Sequence, residues 1–302
     1  MLNGRRVLVT GAAGRVAFPI ARRLSAAGND VIGLARFSDP TDEARLAAHG
    51  ITPIQADLGT VDVSTLPDVD YVFHAGAALR VKPADWQMQM EVNVQATGRL
   101  LRRYRDVEGF VFCSTGSQYA YQGQRPLRED DPPGMHLGPY SATKTAGEQL
   151  VQFLSREQGT PCTIIRIFST YGPEGGAPAD RFDRLIAGDE IALFREPPNN
   201  YTPIYEDDYV HLGIRALEVA VSPPVVTNWS GSETVSAEDY LAFLGSLVGR
   251  DPRIVYSDTA PWSLWADPTH MHAVLGRAEV PWRDGMRRMA AARHPELVEA
   301  TT

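Results

Sequence analysis

Short runs of apolar residues recur along the first half of the 302-residue chain: RVLVT, DVIGLA, ITPIQAD, YVFHAG, GFVFCST and CTIIRIF. Each is bounded by glycine, proline or polar residues, as expected of strands buried on both faces of a sheet. Between most of them the apolar positions return at helical spacing, as Phe18, Ile20, Ala21 and Leu24 do behind the first run. The two longest helix candidates are MEVNVQATGRLLRRYRD and PYSATKTAGEQLVQFLSREQG. The second has Ser141 and Thr143 early and a glycine after its basic end, which are start and stop signals. Strand and helix in alternation predict an α/β protein built on a parallel sheet with helices on both faces. From Tyr171 onward, YGPEGGAPAD, REPPNN and VSPPVV concentrate proline and glycine. A smaller, interleaved C-terminal domain is expected there: 173–208 and 232–302, against a main domain of 1–172 with a return at about 209–231.

Hydrophobic residues make up 43% and charged residues 22% of the chain, the balance of a soluble globular protein. A formal net charge of −8 argues against nucleic acid or an anionic membrane surface as a partner. No apolar stretch is long enough to span a bilayer, and the first strand begins too close to Met1 for a leader, so a cytoplasmic protein is expected. Cys113 and Cys162, the only cysteines, lie beside strand-like runs and read as small buried residues in a reducing compartment. No metal site is expected with so few ligands near them.

The first apolar run leads directly into TGAAGRVA and then a helix. Gly11 and Gly14 would let the backbone turn tightly and approach an anion, whose charge the helix start favours. Taken alone, the same residues fit an ordinary strand-to-helix turn equally well. YSATK adds a second signal: a spacing of four puts Tyr140 and Lys144 on one helix face, converging on one reactant. The neighbouring cation is expected to favour the phenolate and bring Tyr140 nearer to acid–base work at neutral pH. Y-x-x-x-K is common by chance, but this one comes after FCSTGSQYA, at a strand end where catalytic groups gather.

Together these motifs resemble the extended short-chain dehydrogenases/reductases of the NAD(P)-dependent epimerase/dehydratase type. Gly11, Gly14 and Ala17 fall on that family's T-G-x-x-G-x-x-G turn, alanine replacing the last glycine. Asp57 in QADL falls on the residue that faces the adenine, HAGAA on the cofactor-lining stretch, Asn93 on the helix asparagine, and Thr115 on the catalytic Ser/Thr. RIFSTYGP resembles R-x-F-N-x-Y-G-P, with Ser169 in place of asparagine. The resemblance implies a Rossmann-type doubly wound sheet, a dinucleotide-binding main domain and a substrate-binding smaller one. It implies Thr115, Tyr140 and Lys144 as the catalytic group. It places the cofactor on Gly11, Ala13, Gly14, Arg15, Val16, Arg36, Asp57, Leu58, Ala75, Gly76, Ala77, Asn93, Tyr140 and Lys144, and substrate on Thr115, Ser117, Ser169 and Tyr201. For Asn93, bonding to strand backbone is an equal alternative, and Arg166 reads as an ion-pair partner. His74 reads as a strand-end residue, His136 as a loop residue near Tyr140, and REDDPP as a solvated turn.

After the second strand, Ala35 stands where an NAD-selecting acid would, with Arg36 and Ser38 beyond it, so NADP is expected over NAD. Gly116 and Ser117 replace the Asp-Glu pair of the 4,6-dehydratases. The expected activity is hydride transfer between nicotinamide and a carbonyl or hydroxyl carbon of a small polar substrate; a nucleotide-sugar epimerase is the alternative, and a non-catalytic dinucleotide sensor a third reading. Tyr201 replaces the arginine that commonly grips a diphosphate, which points to a substrate without one unless Arg181, Arg184 or Arg195 compensates. A homodimer is expected through the two long helices, with Leu100, Leu101, Leu150, Val151 and Leu154 supplying apolar surface, part of which must face the chain's own sheet.

Overall fold

The computed structural model describes residues 2–79 and 85–299 and divides them into two compact units. The first comprises 1–120, 132–166 and 210–227, and is built on a seven-stranded sheet. Its strands are β1 (Arg6–Thr10), β2 (Asp30–Ala35), β3 (Ile51–Gln55), β4 (Tyr71–His74), β5 (Gly109–Thr115) and β6 (Cys162–Ile167), with Val225–Trp229 at one edge. The order from that edge is Val225–Trp229, β6, β5, β4, β1, β2, β3. β1 pairs in parallel with β2 and β4, and β2–β3 and β4–β5 are parallel as well. The order reverses between β1 and β4, the switch point at which sheets of this type open a crevice for ligands.

Apolar runs become strands because helices cover the sheet. Leu8, Ile32, Leu34 and Val72 pack in one core with Leu100, Leu101, Phe110, Phe112, Val151, Leu154 and Ile164. The helix Pro139–Gln158 starts with proline at its first position, where the missing N–H is no loss, and ends on Gly159 at φ +75°. The other long helical run, 86–103, is not uniform. Trp86–Met90 and Ala96–Arg103 are α-helical, but Glu91–Gln95 is a π turn. Both free cysteines are buried, in agreement with the sequence pattern.

The second unit comprises 121–131, 167–209 and 228–302, with its own core around Phe182, Leu185, Leu193, Tyr240, Leu241 and Met286. The expected boundaries shift in two places: 121–131 and 167–172 belong to this unit. Leu127 explains the first shift, since its amide donates to the Trp265 carbonyl (2.8 Å) and its carbonyl accepts from Asn228 Nδ2 (3.0 Å). REDDPP is likewise more than a solvated turn. Glu129 accepts the Asn228 amide (2.7 Å), and Asp131 is bound by Arg125 and by the Arg128 amide.

The apolar surface expected to pair two copies is mostly internal. Leu100, Leu101, Val151 and Leu154 lie in the unit's own core, because a helix packed on a sheet turns its apolar stripe inward. Leu150 packs against that core, next to Gly98, and Phe153, 59% exposed, is the large apolar side chain left outward on the helix Pro139–Gln158. Among the described residues, no helix is long and apolar enough to cross a membrane.

Candidate active site

A cleft of about 540 Å³ opens in the first unit where β1, β2 and β4 end. Of the residues predicted to hold a cofactor, Gly11, Ala13, Gly14, Arg36, Asp57, Leu58, Ala75, Gly76 and Ala77 line it, as does Ser38. Gly11 has φ +69°, and a Cβ built on it would stand 2.8 Å from the Gly76 Cα. A methyl group here would fill the approach between the two loops, so the turn works by the absence of side chains. The Gly14 amide donates to the Gly11 carbonyl (2.8 Å), closing the turn, and the Phe18 amide to Gly14 O (2.9 Å) as the helix starts. A cradle of this kind, opening on a helix N-terminus, fits a dinucleotide pyrophosphate.

Arg15, Val16, Asn93, Tyr140 and Lys144 are not among the cleft's lining residues. Asn93 is fully buried and serves as a clamp. Its Oδ1 accepts the Ala78 amide (2.8 Å), while its Nδ2 donates to Ala78 O (3.1 Å) and to Thr143 Oγ1 (3.0 Å). Gln89, four residues before it, also donates to Ala78 O (3.2 Å). The sequence pattern does not reveal Arg45, whose Nη2 donates to the Ala13 carbonyl (2.8 Å) and pairs with Asp42 (3.0 Å), bringing a cation to the glycine turn. Nor does it mark Asp42, Met88 and Glu91 as lining residues.

Thr115 ends β5 and caps a short 3₁₀ turn, Gly116–Gln118, by accepting the Ser117 amide on its Oγ1 (3.1 Å). Tyr140 lies on the first turn of the helix Pro139–Gln158, and the Thr115 hydroxyl is among the groups that act on its phenol. Lys144 lies one turn later, so the three expected catalytic residues are brought together within one unit. Their electrostatics differ from expectation. Burial pushes the Tyr140 phenol up to about 12, and the neighbouring Thr115 hydroxyl only partly opposes it. Lys144, also buried, is pushed down to about 8, and its ammonium lies 4.1 Å from the centre of the Phe112 ring. Lys144 is not among the groups that shift the phenol, and burial sets its direction, contrary to the sequence argument.

The turn is held from behind by Glu148, one further helical turn along, and 1% exposed. Its carboxylate accepts from Ser114 Oγ (2.7 Å), Gln118 Nε2 (2.9 Å) and Arg166 Nη2 (2.5 Å). Arg166 donates in addition to the Tyr119 hydroxyl (2.6 Å). Arg166 is thus the ion-pair partner that the sequence suggests, and the pair fixes residues 114, 118 and 119 on either side of Thr115 and Ser117. Ser117 is not turned outward for substrate; its Oγ lies 2.9 Å from Thr115 Oγ1 and 2.9 Å from Ser141 Oγ. The His136 amide donates to Ser117 O (3.0 Å), and burial lowers its imidazole to about 4.

His74 is more than a strand end. Its Nδ1 lies 2.7 Å from Thr10 Oγ1 and its Nε2 2.9 Å from Thr97 Oγ1. The Thr97 hydroxyl donates to Asn93 O, so it accepts from His74 Nε2–H, leaving Nδ1 to accept from Thr10. The histidine joins β1, β4 and the helix that carries Asn93, and burial holds its imidazole down at about 3.

In the second unit, Ser169 O accepts the Ile204 amide (3.0 Å), and the Tyr201 hydroxyl accepts from Arg181 Nη2 (2.9 Å). Arg181 also bonds to the Tyr240 hydroxyl and has no carboxylate partner among the described residues. Trp265 is buried, and Trp262 packs 5.8 Å from the ring of Tyr121.

The model of the NAD dependent epimerase/dehydratase family matches residues 7–228, nearly three-quarters of the chain and all of the strands that frame the cleft. The chain belongs to this family. It is an enzyme of the extended short-chain dehydrogenase/reductase group, whose members here include sugar epimerases and reductases. Across 87% of its length it is 29% identical to an uncharacterized UDP-glucose epimerase, YtcB, of Bacillus subtilis (strain 168), covering 89% of that protein. It is 27% identical to the dTDP-4-dehydro-6-deoxy-D-allose reductase of a Streptomyces species, over 95% of both chains. The fold matches the UDP-glucuronic acid 4-epimerase of Bacillus cereus, solved with UDP-glucuronic acid and NAD, with a TM-score of 0.84 at 24% identity over 96% of this chain and 99% of that one.

Proposed function

We propose that this enzyme is an NADP-dependent reductase that interconverts a hydroxyl and a carbonyl at one carbon of a sugar-like substrate. The observation that carries the reading is that Tyr140 and Lys144 stand one turn apart on a single helix, both buried, in the same unit as Thr115 at the end of β5. The glycine turn of Gly11, Ala13 and Gly14 would hold the pyrophosphate, Asp57 and Leu58 the adenine side, and Lys144 the nicotinamide ribose. Arg36 and Ser38, with Ala35 in place of an acid, support the 2′-phosphate; Asp42 at the same end is neutralised by Arg45. When bound, the nicotinamide supplies the hydride. Tyr140 gives a proton to the substrate oxygen, and Thr115 stabilises the phenolate left behind. The unpaired cysteines support a reducing compartment, and Phe153 is the residue on which a dimer contact would rest.

The direct test titrates NADP and NAD into the wild type and Arg36→Ala. NADP should bind more tightly to the wild type, and the variant should lose about tenfold of that affinity while NAD changes little, since a charged partner of the phosphate is gone. Equal losses, or a wild type that prefers NAD, overturn the cofactor choice.

A nucleotide-sugar epimerase is the second reading, favoured by Arg181, which brings a cation to Tyr201. It predicts a dinucleotide that survives dialysis and micromolar binding of UDP, GDP or dTDP by calorimetry; the reductase reading predicts release of the oxidised cofactor.

A further inference from the structure

The loop after β3 runs Asp57, Leu58, Gly59, Thr60, and all four residues line the cleft. It is a β-turn, closed by the Thr60 amide donating to the Asp57 carbonyl (3.1 Å). Its middle peptide unit, between Leu58 and Gly59, is gripped at both ends. The Gly59 amide donates to Asp57 Oδ1 (2.8 Å), and the Leu58 carbonyl accepts from Nη2 of Arg99, on the helix Ala96–Arg103 (2.7 Å). The same nitrogen donates to the Gly59 carbonyl (3.0 Å), one hydrogen for each oxygen. The middle peptide is the one whose direction separates the two common turn types, and turning it over costs little where the third residue is glycine. Gly59 does not take the positive φ that the turned form needs. Glycine at this place permits both forms, so the observed one depends on what holds the peptide.

We propose that Arg99 is a positioning residue: by holding the Leu58–Gly59 peptide it keeps the Asp57 carboxylate beside the Leu58 amide at the cleft, and so sets a preference for adenine over 6-oxopurines. The inference rests on the reading in which Asp57 and Leu58 take the adenine side. Asp57 Oδ1 is tied to the turn, which leaves Oδ2 as an acceptor, and the Leu58 amide bonds to no acceptor among the described residues. An acceptor beside a donor matches the 6-amino group and N1 on the Watson–Crick edge of adenine. Hypoxanthine, with an oxygen at C6 and a hydrogen on N1, meets the same two groups with both roles reversed. If the peptide turned over, the Gly59 amide would leave Asp57 and the carboxylate would be free to swing away. Arg99 also ties the two loops together, because the run that carries it holds Ala78 through Gln89 and Asn93.

Calorimetry with ADP and inosine diphosphate (IDP) reads the preference without the nicotinamide half. The wild type should bind ADP at least about tenfold more tightly than IDP, since two hydrogen bonds are reversed. In Arg99→Met the ratio should shrink to about threefold or less through loss of ADP affinity, with IDP nearly unchanged. Equal losses of both, as a merely structural role would give, or an unchanged ratio overturn the proposal. Arg99→Lys, a milder change that carries the same test if Arg99→Met does not fold, should move the ratio in the same sense by less. The crystal structure of Arg99→Met is the second arm. Its Leu58–Gly59 peptide should be turned over, with Gly59 at positive φ and its amide off Asp57; a peptide left in place overturns the proposal. A wild type that binds both diphosphates alike, or neither, refutes the adenine reading of Asp57 and Leu58 instead, and the peptide in Arg99→Met still decides whether Arg99 holds the turn.

Discussion

The cofactor cleft and the hydroxyl cluster lie in the same unit and are built on opposite principles. Around Gly11 and Gly76 two backbones approach closely because side chains are missing, and the space that remains is the proposed binding site. Around Thr115 nearly every polar atom is occupied: Glu148, Arg166, Gln118, Ser117 and Ser141 hold one another, and the working group is what the network leaves over. The first region is damaged by adding atoms and tolerates exposure. The second is damaged by removing atoms and depends on exclusion of water, which is why desolvation controls both Tyr140 and Lys144.

The contrast is sharpest at the ion pair behind the turn. Arg166→Met leaves the Glu148 carboxylate buried without its cation, and stability should fall by about 3–5 kcal/mol, read from urea unfolding. Adding Glu148→Gln should recover part of that loss; a single variant as stable as the wild type would show that the cluster is not held by this pair. Next in size is Tyr140→Phe. Turnover should drop by at least about 10²-fold, the scale of a lost proton transfer, while dinucleotide binding persists. Persistent turnover in this variant would remove the chemical distinction between the two regions.

His74 connects the regions, and its effect appears with pH. Its imidazole, at about 3 in the folded chain against 6.5 when free, stays neutral while the unfolded chain takes up a proton. Stability should therefore fall as pH drops through 6.5 toward 3, by about 2 kcal/mol at pH 5 from this group alone. His74→Gln should flatten that part of the stability curve, measured by denaturant midpoints; an unchanged slope would assign the acid sensitivity elsewhere. The smallest expected effect is in the cradle. Gly11→Ala sets a Cβ against Gly76 at φ +69°, a strain of about 1–2 kcal/mol, and dinucleotide affinity should weaken about tenfold with the fold intact. If calorimetry found no change, the space between the loops would not be the pyrophosphate site.

The legibility of the sequence divides along the same line. β1, β2 and β4 appear as apolar runs, Gly159 marks the end of the helix Pro139–Gln158 whereas Ser141 and Thr143 lie inside it and do not cap its start, and the glycine turn is visible because local spacing alone specifies it. Tyr140 and Lys144 are visible for the same reason. Glu148 carries no local mark, since its partners Ser114 and Arg166 are 34 and 18 residues away and meet only when β5 and β6 lie beside the helix. The pKa directions at Tyr140 and Lys144 are not legible, because spacing shows that two groups are near but not that water is absent. Which of Leu100, Leu150 and Val151 face the sheet and which face outward is not legible, since amphipathic spacing marks an apolar face without saying what covers it. Tyr121–Asp131 belongs to the second unit against expectation because a loop's allegiance is set by distant contacts such as Leu127 with Trp265.

The π turn at Glu91–Gln95 gives the run 86–103 a phase error, one residue more than a regular helix would use. Deleting one residue between Gln89 and Asn93 would let the helix regularise with its two ends nearly in phase, but would cut the spacing of these two side chains from four residues to three. Gln89 and Asn93 could not then both reach Ala78, so the loop at the end of β4 would lose one of its two grips. A regular helix and a held loop after β4 are alternative uses of the same residues, and insertions or deletions should be tolerated far less in this stretch than the ordinary surface of a helix would lead one to expect.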